Sequence, residues 1–173
     1  MRLLIFTGVL AFLTGVVDAQ SGPVDHFHKV MVSSFIQATF VQGDVESVTI
    51  NSAIVDTTKL HVETHGGVLR LYLDGAKDIP HTERDASGRR IDLYPRHAMI
   101  VTVTYKKLDA LSLRGEEKYL CESPLSSSTF HLRVYGEATV IFTAVHFGKM
   151  FSTIYGESTL DIRSGVASKQ YYT

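Results

Sequence analysis

The sequence predicts an all-β domain wound as a parallel β-helix, and three observations lead there. Beyond its first twenty residues the chain is rich in Thr, Val, Ile, Tyr and Phe arranged in a period of two. No convincing amphipathic helical pattern interrupts it. The dipeptide Gly-Glu recurs at Gly115-Glu116, Gly136-Glu137 and Gly156-Glu157, spaced 21 and then 20 residues apart.

Length and composition bound the reading first. A chain of 173 residues is one domain, and 45% apolar with 20% charged residues is a globular composition. Lys plus Arg number 17 against 18 Asp plus Glu, for a net charge of −1. That excludes a nucleic-acid binder running on bulk positive charge, and equally an acidic tail. Cys121 is the single cysteine, so there is no disulfide framework and no all-cysteine metal site.

Residues 1–19 read as an export signal. Met1-Arg2 supplies a short positive start, residues 3–17 are an apolar run, and Val17-Asp18-Ala19 places small residues around a cleavage point before Gln20. The run falls short of the roughly 20 residues that span a bilayer. No later stretch is apolar and long enough to do so, and no Cys follows the run to take a lipid. The expectation is a leader, 1–19, and one exported, soluble domain, 20–173.

The strands follow in order. Val48 and Ile50 come after the Gly43-Asp44 turn signal, Leu69, Leu71 and Leu73 alternate with Arg70 and Tyr72, and Val101 to Tyr105 alternates cleanly. Residues 74–97 hold Gly75, Pro80, Gly88, Pro95 and many charges, and read as a long loop or a protruding hairpin around Ile91 to Tyr94.

From residue 111 the repeat takes over. Counted from each Gly, the columns are Leu113, Val134 and Ile154; Leu111, Leu132 and Ser152; Tyr119, Val140 and Leu160; and Cys121, Phe142 and Ile162. Positions between them are mostly polar. Self-similarity at this period marks a solenoid, in which each coil buries its apolar columns against the next. The leucine-rich alternative fails for want of its Asn-bearing pattern, Asn51 being the one Asn. Cys121, in an inward column, reads as a small buried hydrophobe. Residues 168–173 look like the start of a fourth coil, with Gln170 and Tyr172 where Met150 and Ser152 fell. The expectation is a β-helix truncated at its C-terminal end, or one that self-associates through its C-terminal coil.

With these residues in view the chain resembles the head GIN domain family, the auto-transporter adhesin-like envelope proteins of Bacteroidetes. The residues that carry the resemblance run from Phe27 through Ile50, then from Val62 through Leu71, and then through the Gly-Glu repeats, where the family often has Gly-Ser-Gly. The match covers most of residues 24–173. The resemblance implies a single-stranded right-handed β-helix and an exported, surface-associated protein in the periplasm, at the cell surface or outside the cell. It implies a non-enzymatic, adhesin-like binding module with an unknown protein or glycan ligand.

Candidate site residues are few. Tyr135 and Tyr155 stack just before the repeated turn and point outward, where aromatic ladders face sugars or proteins or simply stiffen an edge. Glu116, Glu137 and Glu157 would line the same edge as carboxylates, a hard-cation donor type that here reads more simply as a solvated edge. His61, Glu63 and His65 share one face of a strand, a zinc-like donor set, yet the simpler arrangement has Val62 inward and these three in water. No metal, cofactor or catalytic residue is assigned. The alternatives to a binding module are an assembly element joined through open β-helix ends and a carbohydrate-active β-helix enzyme. The second lacks an Asp-Asp pair, a Gly-x-Ser-x-Gly turn or any nucleotide-binding glycine loop.

Overall fold

The computed structural model describes residues 21–77, 83–84, 86–88 and 90–173. The leader at 1–19 lies outside the described residues. In chain order the strands are β1 (Ser21–Pro23), β2 (Lys29–Val32), β3 (Ile36–Gln42), β4 (Ser47–Ala53), β5 (Leu60–His65), β6 (Val68–Leu73), β7 (Glu83–Arg84) and β8 (Arg90–Ile91). They continue with β9 (Met99–Tyr105), β10 (Ala110–Gly115), β11 (Lys118–Cys121), β12 (Leu125–Gly136), β13 (Thr139–Phe142), β14 (Val145–Tyr155), β15 (Thr159–Ile162) and β16 (Gly165–Tyr172). One 3₁₀ turn, Thr57–Lys59, precedes β5 and is capped by Asp56, whose carboxylate accepts the Thr58 N–H at 2.9 Å.

All-β is the observed class, but the expected β-helix is not the architecture. The strands form two seven-stranded mixed sheets, ordered β1-β4-β9-β3-β11-β13-β15 and β16-β14-β12-β10-β2-β6-β5, with β7 and β8 as a separate pair. Three of the pairings in the large sheets, β1 with β4, β4 with β9 and β5 with β6, are antiparallel, and the sheets are not closed. The layer made by β2 and β3 lies between β6 and β9 on one side and β10 and β11 on the other, so the chain does not advance coil by coil. Neither a solenoid nor a parallel β-helix therefore describes this chain. The physical reason is local. The regular 20- to 21-residue period runs only through the C-terminal repeats, while two-residue turns such as Gly66-Gly67 reverse the N-terminal strands.

The repeat does set register where it exists. Leu113 lies opposite Val134 and Val134 opposite Ile154, in parallel pairs. Tyr119, Val140 and Leu160 are aligned in the other sheet. The same columns continue into the N-terminal half: Val32 opposite Leu113, Ala38 opposite Tyr119 and Phe40 opposite Cys121. These inward residues form one core between the sheets. Each fully buried Leu, Val or Phe there contributes roughly 1.5–3 kcal/mol. At the β15–β16 edge the columns end in half-buried Ile154, Leu160 and Ile162.

The segment expected to protrude around Ile91 to Tyr94 behaves differently at its end. Ile91 belongs to the β7–β8 hairpin and is exposed. Tyr94 turns inward, packs edge-on against Phe35 at 5.7 Å and donates its hydroxyl to the Asp74 carbonyl at 3.0 Å. Parts of this segment, residues 78–82, 85 and 89, lie outside the described residues.

Candidate functional site

The outer face of the second sheet carries the expected tyrosines and more. Alternation along β12 and β14 turns Leu132, Val134 and Ser152 inward, leaving His131, Arg133 and Tyr135 on one strand and Phe151, Thr153 and Tyr155 on the next outside. Tyr135 and Tyr155 stack at 5.2 Å with ring planes 13° apart, and the Arg114 guanidinium lies 5.8 Å from the Tyr135 ring centre on the other side. A second ladder runs beside it: His131 on Phe151 at 5.0 Å and Phe151 on Tyr171 at 4.7 Å. The two ladders are four residues apart along the strands, about 13 Å at the usual rise. Rings stacked in this way use their faces on each other. Tyr155 and Tyr171, the last rings of their ladders on the β15–β16 side, each stack on one ring only and are 57% and 46% exposed.

The turn glutamates follow Tyr135 and Tyr155 at the corner of each repeat. Glu116 is ion-paired with Arg96, whereas Glu137 and Glu157 are exposed. The consequential acid there is the neighbouring Glu117, only 3% exposed. Its carboxylate accepts the N–H of Phe35 and of Glu116, each at 2.9 Å. Phe35 has a positive φ of 72°, and its N–H finds its acceptor in this side chain. In the third repeat Ser158 does the same work, accepting the Ala138 N–H at 3.1 Å and donating to the Gly136 carbonyl at 2.8 Å. Glu117 is thus a corner-satisfying group, in keeping with the rule that buried polar groups are paired.

Burial raises the Glu117 pKa above the ordinary carboxylate value, against the lowering effect of the backbone N–H groups and of His97. A folded-state pKa above the unfolded one means the native chain holds the proton longer. Stability is then full below the unfolded value and falls as pH rises through the folded one. Glu117→Gln is expected to flatten that part of the stability–pH curve. Urea melts between pH 4 and 8 check it, and an unchanged slope would remove Glu117 as the cause.

His61, Glu63 and His65 lie on β5, and the structure engages the first two with other groups. His61 stacks on Tyr72 at 4.7 Å and contacts Asp74. Glu63 accepts from the Tyr72 hydroxyl and from Lys77, whose ammonium is 2.9 Å away. Those bonds hold the Glu63 carboxyl below its usual range and Lys77 above its own. Among the described residues no group of three or more His, Cys, Asp or Glu is placed to hold a metal ion. Cys121 is buried between Phe40 and Phe142, and burial pushes its thiol pKa up, which makes it an unreactive core residue.

The family model for the putative auto-transporter adhesin, head GIN domain, matches residues 26–173. The chain belongs to that family. The family is described by an adhesin role and by no catalytic activity. Among the described residues no helix is long and apolar enough to cross a membrane.

Solved structures agree on the fold. A crystal structure of a putative adhesin from Parabacteroides distasonis is similar with a TM-score of 0.58 at 17% identity, covering 89% of this chain and 68% of that one. A putative lipid binding protein from the same organism gives 0.61 at 19% identity, over 85% and 59%. A putative adhesin from Bacteroides fragilis gives 0.53 at 11%, over 89% and 91%. The chain thus spans about three fifths to two thirds of the two Parabacteroides structures. No curated protein sequence matches it.

Within this family member, sequence reasoning found the Tyr135–Tyr155 pair but missed the His131, Phe151 and Tyr171 ladder. The signal was present: these residues fall five before Gly136 and Gly156, with Tyr171 one repeat later. A His-Phe-Tyr column is chemically mixed, and only the paired register shows it to be one stack. Glu117 was missed because Ala138 and Ser158 hold its place in the later repeats.

Proposed function

We propose that the chain is a non-enzymatic exported surface protein whose domain, residues 20–173, follows a cleaved leader and holds a saccharide on the outer face of the second sheet. The observation that carries this is the pair of open ring faces at Tyr155 and Tyr171 beside the Thr153 hydroxyl. A sugar ring has an apolar CH face that suits an aromatic face and a rim of hydroxyls that suits the polar positions between the ladders. The turn carboxylates Glu137 and Glu157 border the same face and are available as acceptors.

The test is a glycan array probed with wild type and with the Tyr155→Ser, Tyr171→Ser double variant. Wild type is expected to mark a subset of glycans and the double variant to lose at least tenfold in signal. No wild-type binding across the array would overturn the proposal. Release of new reducing ends from bound glycans would favour a carbohydrate-active enzyme instead.

A second reading is favoured by β16, an edge strand with exposed Val166, Tyr171 and Tyr172. Such an edge pairs readily with another chain. Light scattering of the array samples separates the readings, since self-association through β16 gives a mass that rises with concentration.

A further inference from the structure

At the opposite margin of the two sheets from the proposed saccharide face, β1 and β4 face β5 across an open cleft. Its volume is about 370 Å³, within the size of small-molecule sites. The walls are Val24, Val48, Ile50, Leu60 and Val62. Val62 sits in an inward column, opposite Leu71 in the next strand. Leu71 is fully buried, yet Val62 is 38% exposed because no further layer covers it. The 3₁₀ turn closes part of the mouth and brings Thr57 and Thr58 to it.

The charges decide which apolar ligand fits. Among the described residues no Lys, Arg or His lines the cleft. Asp56 and Lys59 flank Thr57 and Thr58 in the chain; the Lys59 ammonium is turned to the Tyr94 ring, 5.4 Å from its centre, while the Asp56 carboxylate is held at the turn by the Thr58 N–H and by the Thr58 hydroxyl at 2.7 Å. Those bonds keep its pKa below the ordinary value, so it is ionised at neutral pH. An anionic head at the mouth would meet the Asp56 charge, and the ammonium of Lys59 in the same turn is engaged at the Tyr94 ring instead. The neighbouring edge also disfavours an added strand, since Pro23 in β1 has no N–H to offer.

We infer that this cleft binds an alkyl chain of about ten to twelve carbons bearing an uncharged head, such as an alcohol, an ester or a glycoside. The length follows from the volume, because a methylene occupies roughly the space of one water, about 30 Å³. The Thr57 hydroxyl at the mouth serves the head, and the Val, Ile and Leu walls take the chain.

The experiment is calorimetric titration of the protein with 1-decanol and, separately, with decanoate. Decanol is expected to bind saturably and decanoate at least tenfold more weakly. Val62→Trp fills the cleft from an already exposed position and is expected to weaken decanol at least tenfold, with the melting temperature as the check on folding. The Tyr155→Ser, Tyr171→Ser variant is expected to bind decanol like wild type, which keeps this result independent of the saccharide face. Absence of saturable decanol binding up to its solubility limit overturns the inference. So does equal affinity for decanoate, or a Val62→Trp variant that binds as wild type does. A doubled mass in light scattering that Val62→Lys abolishes would assign the cleft to a second copy of the chain and likewise overturn it.

Discussion

Val134→Asp is expected to lower the melting temperature by more than 10 °C or to prevent folding. Val134 is fully buried, with Leu113 beside it in one neighbouring strand and half-buried Ile154 in the other. A carboxylate at that position has no cation and no free N–H within the column, because the ladder hydrogen bonds are already used. The effective cost of an uncompensated buried charge is several kcal/mol. At roughly 2–4 °C per kcal/mol for a chain of this size, the shift is large. The penalty should shrink at low pH, where the buried carboxyl takes a proton. Val134→Ala is the size control: it removes two methyl groups and should cost only about 2 kcal/mol. Thermal denaturation followed by circular dichroism at pH 7 and pH 4 checks both. An Asp variant that melts within a degree of wild type would mean that Val134 does not lie between the sheets.

The second large effect is expected at Gly136. This residue has φ of 126°, and a Cβ there would run into the carbonyl of Gly115 one repeat away, whose carbon is 3.1 Å from the added atom. Gly136→Ala therefore combines backbone strain with a collision against main chain, which cannot rotate aside as a side chain would. Together these cost about 3 kcal/mol. Gly66 makes the comparison. It turns the β5–β6 hairpin at φ of 57°, and nothing lies within 4 Å of its added Cβ. Gly66→Ala carries the strain alone, roughly 1 kcal/mol. Chemical denaturation of both variants should give the Gly136 change at least twice the loss of the Gly66 change. Equal losses would show that the turn backbones do not stack in the register described.

Both expectations draw on features of unequal legibility. The column holding Leu113, Val134 and Ile154 can be read from spacing because a parallel pair advances one residue per residue, and alternation then fixes which side chains face in. The Gly at the corner is readable for the same reason. What the carboxylate of Glu117 does is not readable, since its partner is the N–H of Phe35, 82 residues away. The same holds for His61 and Glu63. Their period of two placed them on one face of β5, but Asp74, Tyr72 and Lys77 decide what they bind. The apolar cleft is likewise a product of two margins meeting, Val48 and Ile50 from one sheet and Leu60 and Val62 from the other.

By itself the sequence determined that this protein is all-β, which residues of its C-terminal repeats form the core, and, through the Phe27–Ile50 and Gly-Glu segments, the family it belongs to. Those properties live in nearest-neighbour spacing and in side-chain chemistry along one strand. The order of strands across the sheets was decided only in the folded chain. β2 and β3 enter between pairs that are distant in sequence, and β4 and β5 run antiparallel to their neighbours. A strand can pair on either edge and in either direction with little difference in its own local energy. The choice is made by which arrangement buries Val30, Val32, Phe40, Leu69 and Leu71 together, and that is a sum over contacts no periodicity records.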